Sequence, residues 1–92
     1  MIRSFACRDT EKLFYNNYVR VFSSFSRQAQ IKLKLLNSIS DVKELRLPPG
    51  NKLESLIGDR KDQYSIRINK QWRICFKWHD GNAFNVEIVD YH

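Results

Sequence analysis

The β-branched run Val86-Glu87-Ile88-Val89 leads directly into Asp90, Tyr91 and His92. A carboxylate, a phenol and an imidazole at a strand tip can accept, donate and carry a proton near neutral pH. Upstream, Arg67 and Arg73 supply two guanidiniums and Lys70 an ammonium. Cys7 and Cys75 are far apart and show no C-x-x-C or Cys/His spacing, so no metal or other cofactor is expected. Carboxylate, phenol, imidazole and guanidinium without a metal-ligand cluster are the equipment of a metal-independent ribonuclease. Such a reaction needs a base for the attacking 2′-hydroxyl, a cation for the pentavalent oxyanion and an acid for the 5′-oxygen. A positioned guanidinium suits the second task, for which comparable donors contribute about 10²–10³ in rate.

Those residues must be brought together by strands. Tyr64, Ile66 and Ile68 alternate with Ser65 and Arg67. Trp72, Ile74, Phe76 and Trp78 alternate with Arg73, Cys75 and Lys77, and Phe84, Val86 and Ile88 with Asn85, Glu87 and Val89. Period-2 patterns of this kind predict a three-stranded antiparallel meander with one apolar face. Joining the first two strands through Asn69-Lys70-Gln71 pairs Ile68 with Trp72, Ile66 with Ile74 and Arg67 with Arg73. Core residues must share a face, so the next connection is expected to be a three-residue loop, Asp80-Gly81-Asn82, with a glycine bulge. That register sets Trp78 opposite Phe84, Phe76 opposite Val86 and Ile74 opposite Ile88. It carries Tyr91 to the face of Arg67 and Arg73, while Asp90 and His92 start on the other side. Two opposed arginines repel by a few tenths to about 1 kcal/mol unless an anion lies between them. Glu87 is the internal candidate for that anion, and an RNA phosphate in a bidentate fork is the functional one.

The face opposite the arginines needs a cover. Phe22, Phe25, Ala29, Leu33, Leu36 and Ile39 recur at helical spacing, with Ile31 and Leu35 widening the stripe. One helix of about four turns is expected there, with N-caps available at Ser23, Ser24 and Ser26 and with Arg27, Gln30 and Lys34 toward solvent. Ile2 to Cys7 reads as a short strand, and Asp9 as the cap of a brief helix through Tyr15. Asp41 and Glu44 have capping-box spacing. Pro48-Pro49-Gly50 predicts a type II turn with glycine at positive φ, and Lys52 to Leu56 a further short strand. The fold class is α+β, a small antiparallel sheet with N-terminal helices packed on one face.

The 92 residues make a single domain over 1–92, and six Phe, four Tyr and two Trp can fill one modest core. A net charge of +6 favours a polyanionic or acidic partner. Met1 to Phe5 is too short for a signal segment and no apolar run approaches a membrane span, so a cytoplasmic protein without a membrane partner is expected. Two thiols suit a reducing compartment.

The pieces Leu56-Ile57-Gly58-Asp59-Arg60, Tyr64 to Asn69, Gln71 to Phe76 and Val86 to His92 closely resemble HigB-type toxins of the RelE/ParE superfamily of bacterial toxin–antitoxin modules. Met1 to Phe5 and Pro48-Pro49-Gly50 match as well, so the resemblance spans the chain. Each piece alone is weak, whereas four in order within this length are specific. The resemblance implies a ribosome-dependent mRNA endonuclease that enters the decoding site. It also implies a HigA-type helix-turn-helix antitoxin whose complex with the toxin binds operator DNA. Carried over by position are Arg73 for the scissile phosphate and the closing Asp90, Tyr91 and His92. Some HigB-type toxins have a histidine where this chain has Glu54. Either Glu54 is the base here, or the site depends more on His92, whose own α-carboxylate should favour the protonated ring. Tyr91 suits base stacking or positioning of the 2′-hydroxyl, and His79 is expected to be solvated. Two other readings differ in class: a ParE-like gyrase inhibitor and a non-catalytic basic RNA-binding module.

Overall fold

The computed structural model describes residues 1–56 and 62–90. Helices α1 (Arg8–Phe14) and α2 (Ser26–Ser38) precede an antiparallel sheet of β1 (Glu54–Ser55), β2 (Gln63–Arg67), β3 (Trp72–His79) and β4 (Asn82–Asp90). The strands lie in chain order. A short 3₁₀ segment at Arg20–Phe25 lies between the two helices, and those at Val42–Arg46 and Pro49–Asn51 lead from α2 to the sheet. The α+β architecture is therefore the expected one.

The long periodic segment is not one helix. Its first part winds as 3₁₀ over Arg20–Phe25, and α2 starts at Ser26 with Phe25 as N-cap and no side-chain cap bond. Ala29, Leu33 and Leu36 then recur one and two turns apart and are wholly buried. Ile31 faces solvent instead of widening the stripe, while Leu35 packs at the core margin. Gln30 lies nearer the protein than expected, donating through Nε2 to the Leu13 carbonyl. Asp9 lies inside α1, whose N-cap is Cys7. The Asp41–Glu44 capping box forms as its spacing predicts.

Against α2 the sheet presents Ile66, Ile74, Phe76, Val86 and Ile88, all buried, with Phe25, Leu33, Leu36 and Leu45 closing the core. Trp72 and Trp78 are partly buried at its margin, Trp72 packing its ring on Phe22 and Phe25. The N-terminal segment runs parallel to β4, with bridges Ile2 to Ala83 and Phe5 to Val86. Where that segment leaves β4, the Ile88 amide donates to Thr10 Oγ1 of α1, so no buried donor is orphaned there.

Between β2 and β3 the register is as predicted, with Ile66 opposite Ile74 and Arg67 opposite Arg73. Between β3 and β4 the predicted pairs Ile74–Ile88 and Arg73–Val89 form, but the loop does not. The turn contains two residues, Asp80 and Gly81, both at positive φ. That conformation matches the twist of adjacent strands and suits an Asp-Gly pair. The extra residue enters inside β4, where Asn85, at φ 53°, and Val86 together oppose Phe76. Ala83 consequently takes the buried position opposite Trp78, and Phe84 pairs with Lys77 on the other face. Phe84 is thus not a core residue.

Two further expectations are corrected. Gly50 is not at positive φ; Pro49–Asn51 turns as 3₁₀ and the left-handed residue is Lys52, at φ 45°. The strand expected from Lys52 to Leu56 is shorter, only Glu54–Ser55.

Candidate active site

By register, the sheet face turned away from α2 carries Glu54, Ser65, Cys75 and Glu87 in one row and Arg67, Arg73 and Val89 in the next. Arg73 was expected to project from this face, and it lies on it, but only 7% exposed. Burying a guanidinium is costly unless its N–H groups are satisfied. Here Nε donates to Ser65 Oγ at 2.9 Å, and Nη2 donates to the carbonyls of Lys52 at 2.6 Å and Ser65 at 3.3 Å.

The Lys52 carbonyl is itself held in place. Asn51, fully buried, donates through its amide nitrogen to the carbonyls of Leu45 and Leu47, and its Oδ1 accepts from Lys32 Nζ of α2. A buried amide satisfied on both sides pins the loop, and the left-handed Lys52 that follows aims its carbonyl at Arg73. Neither Asn51, Lys52 nor Ser65 was singled out from the sequence. Ser65 had a signal: the register places this small polar residue on the face of Arg73, diagonal to it across the strands. The Lys52 contribution is a carbonyl and has no side-chain signature.

The predicted repulsion between Arg67 and Arg73 is relieved by geometry. Arg67 Nε donates to the Asn69 carbonyl at 3.1 Å, toward the β2–β3 turn, whereas Arg73 reaches two residues the other way, to Ser65. Among the described residues the carboxylate that meets Arg73 is Glu54, with Oε1 at 3.9 Å from Nη1, and not Glu87, which pairs with Cys75. Glu54's side chain is half exposed, so the contact leaves a carboxylate open to solvent beside a fixed cation. Lys70 is exposed at the tip of the β2–β3 turn. Asp90 ends β4 opposite Trp72 and accepts from Gln71 Nε2 at 3.1 Å. Tyr91 and His92 lie outside the described residues. Arg73, Arg67 and Glu54 therefore share a face, and Asp90 stands at its edge. His79 is exposed beside the Asp80 carboxylate, 3.1 Å away.

Such an arrangement can hold a phosphate against a cation that needs no reorganisation, with a carboxylate nearby to take a proton. Among the described residues no group of three or more His, Cys, Asp or Glu could hold a metal ion. No helix among them is long and apolar enough to cross a membrane. A cleft of about 740 Å³ on the helix side is lined by Asp9, Lys12, Tyr18, Val19, Arg20 and Val21 and contains none of these site residues.

Known proteins bear on this geometry. A family model described as RelE-like toxin of type II toxin-antitoxin system HigB matches residues 3–92. The chain is 48% identical over 54 residues to Toxin HigB-1 of Vibrio cholerae, spanning 59% of this chain and 57% of that protein. It is 33% identical over 61 residues to Endoribonuclease HigB of Proteus vulgaris, spanning 66% of this chain and 65% of that protein. The matches thus cover somewhat less than two thirds of the curated relatives' length. In fold the chain is similar to a YafQ mutant from E. coli, with a TM-score of 0.63, 15% identity, and coverage of 98% of this chain and 93% of that one. It is also similar to a chain of the YoeB–YefM complex from Staphylococcus aureus, with a TM-score of 0.56, 18% identity, and coverage of 100% and 98%. At those identities the likeness is one of fold.

Proposed function

The chain belongs to the RelE-like toxins of the HigB type II toxin–antitoxin system, and on that premise we propose that it is a metal-independent endoribonuclease. Its substrate is mRNA engaged in the ribosomal decoding site, and cutting it stops translation and growth. The observation that carries this reading is Arg73, a guanidinium fixed by Ser65 and the Lys52 carbonyl on a face shared with Arg67 and Glu54. The Endoribonuclease HigB of Proteus vulgaris supports it by similarity.

In this reading the 2′-hydroxyl attacks the adjacent phosphorus, its proton passing to a base, for which Glu54 and Asp90 are the candidates. Arg73 stabilises the oxyanion, Arg67 and Lys70 hold neighbouring phosphates, and His92 protonates the departing 5′-oxygen. Tyr91 stacks on a base, an interaction worth about 1–3 kcal/mol. The toxin acts in the cytoplasm and is neutralised by a HigA-type helix-turn-helix antitoxin, through which the complex contacts operator DNA. The likeness to YoeB, solved with YefM, supports a dedicated protein partner.

Primer extension on mRNA translated by purified ribosomes tests the activity. Defined cuts by the wild type, their absence with Arg73→Ala and undisturbed supercoiling by gyrase are expected. No cuts, or inhibition of gyrase, would overturn the proposal in favour of a ParE-like toxin or a binding module.

A further inference from the structure

Phe84 is the aromatic that the fold leaves on the wrong face. Alternation could have placed it in the core, but the bulge at Asn85 gives that position to Ala83 and leaves Phe84 opposite Lys77. The bulge is built in: Asn85 adopts φ 53°, and its amide donates to Ser4 Oγ at 2.9 Å. Bulges commonly re-aim a side chain, and backbone held in a sparsely populated conformation tends to mark functional surfaces.

Around Phe84 lies a cleft of about 370 Å³ lined by Asp62, Lys77, Trp78, His79, Phe84 and Asn85. It combines the Phe84 ring, an ammonium and two polar side chains, Asp62, which can accept from a base edge, and Asn85, which can accept or donate. By register Lys77, His79 and Phe84 belong to the face that carries Arg73. Lys77 lies four residues along β3 from Arg73, which at roughly 3.3 Å per residue is about 13 Å. A short single strand of nucleic acid crosses that interval.

From these observations we infer that the Lys77–Phe84 cleft is a nucleotide subsite. It receives a base of the single-stranded RNA whose phosphate lies at Arg73, stacking it on the Phe84 ring while Lys77 meets the adjoining phosphate. The inference rests on the proposed RNA cleavage for the identity of the strand, but not for the binding itself. Stacking of this kind tolerates all four bases, and the Asp62 carboxylate adds a preference for bases with an exocyclic amino group.

The test uses the full chain carrying Trp72→Phe, so that Trp78 alone fluoresces, titrated with 5′-AMP, 5′-CMP, 5′-GMP, 5′-UMP and inorganic phosphate. Saturable quenching by nucleotides but not by phosphate is expected. Phe84→Leu, which stays apolar without a π-face, should weaken it about tenfold, and Arg73→Ala should leave it unchanged. In ribosome assays Phe84→Leu should redistribute cut sites along an mRNA while cutting still occurs. Absence of saturable quenching, equal binding by Phe84→Leu, or an unchanged cut pattern would each overturn the subsite. Quenching intact in a protein that cuts no mRNA would instead overturn the proposed activity and, with it, the placing of the subsite on the substrate strand.

Discussion

Arg73 on β3 is 7% exposed and donates to Ser65 and to the Lys52 carbonyl. Arg67, opposite it on β2, is half-buried and turns its Nε to the Asn69 carbonyl beside the hairpin turn. Residue type and strand register are shared, and the surroundings differ. Arg73 bonds the Lys52 carbonyl that follows the Pro49–Asn51 loop, which Asn51 fastens to α2 through Lys32; among the described residues Arg67 bonds its own hairpin. A cation held before substrate arrives stabilises developing charge without reorganisation, while one that can still move contributes mainly to affinity. Under the proposed cleavage, the comparison predicts that Arg73 serves rate and Arg67 binding.

The largest effect should come from removing the fixed member. Arg73→Ala is expected to lower cleavage by about 10²–10³. It should also destabilise the fold by about 1–3 kcal/mol, because the Ser65 and Lys52 acceptors lose a buried charged donor. Growth inhibition in cells and chemical denaturation read the two consequences. A fully toxic Arg73→Ala would erase the distinction between the arginines.

Loosening Arg73 without deleting it should do less. Ser65→Ala removes the acceptor of Nε and should reduce the single-turnover rate about tenfold to a hundredfold through misplacement. Ribosome association should stay unchanged. If instead association weakens and the rate constant does not change, Arg73 serves binding as Arg67 does.

Arg67→Ala should be milder again. Losing one phosphate contact to single-stranded RNA should lower the salt dependence of binding by about 0.7 in the log–log slope. Titrations at several salt concentrations measure this, and an unchanged slope removes Arg67 from the RNA path.

The smallest effect lies far from both arginines. Glu44's carboxyl is held below its ordinary value of 4.5 by hydrogen bonds from the backbone of Asp41 and then of Ser40. Its folded form therefore binds a proton less readily than its unfolded form. The stability it contributes is complete above that ordinary value and is lost as pH falls through the lower folded one. Glu44→Gln should flatten the acid limb of the stability curve slightly and leave neutral-pH cleavage untouched.

Much of the sheet was legible because alternation constrains register tightly. It did so fully between β2 and β3, where Arg67 meets Arg73. Between β3 and β4 it constrained only a sum. A three-residue loop, or a two-residue turn followed by a bulge, sets Ile74 opposite Ile88 equally well, and the difference decides whether Phe84 points in or out. The preference of Asp80-Gly81 for positive φ was the signal for the second solution. The enclosure of Arg73 was not legible, because it depends on a main-chain carbonyl delivered across the fold by Asn51 and Lys32. The family pattern pointed to Glu54 as a possible base but not as a partner of Arg73, and among the described residues Glu54, not Glu87, the nearer candidate by strand register, meets the guanidinium.

Exchange of each arginine for lysine keeps the charge and removes the planar fork, so it isolates what enclosure adds. Single-turnover cleavage on pre-formed ribosome–mRNA complexes should show Arg73→Lys slower by about a hundredfold. Arg67→Lys should stay within about threefold of wild type, since a point charge still meets phosphate. Equal rates for Arg73→Lys and wild type, or equal impairment of the two variants, would contradict the claim that a pre-fixed Arg73 guanidinium drives the reaction.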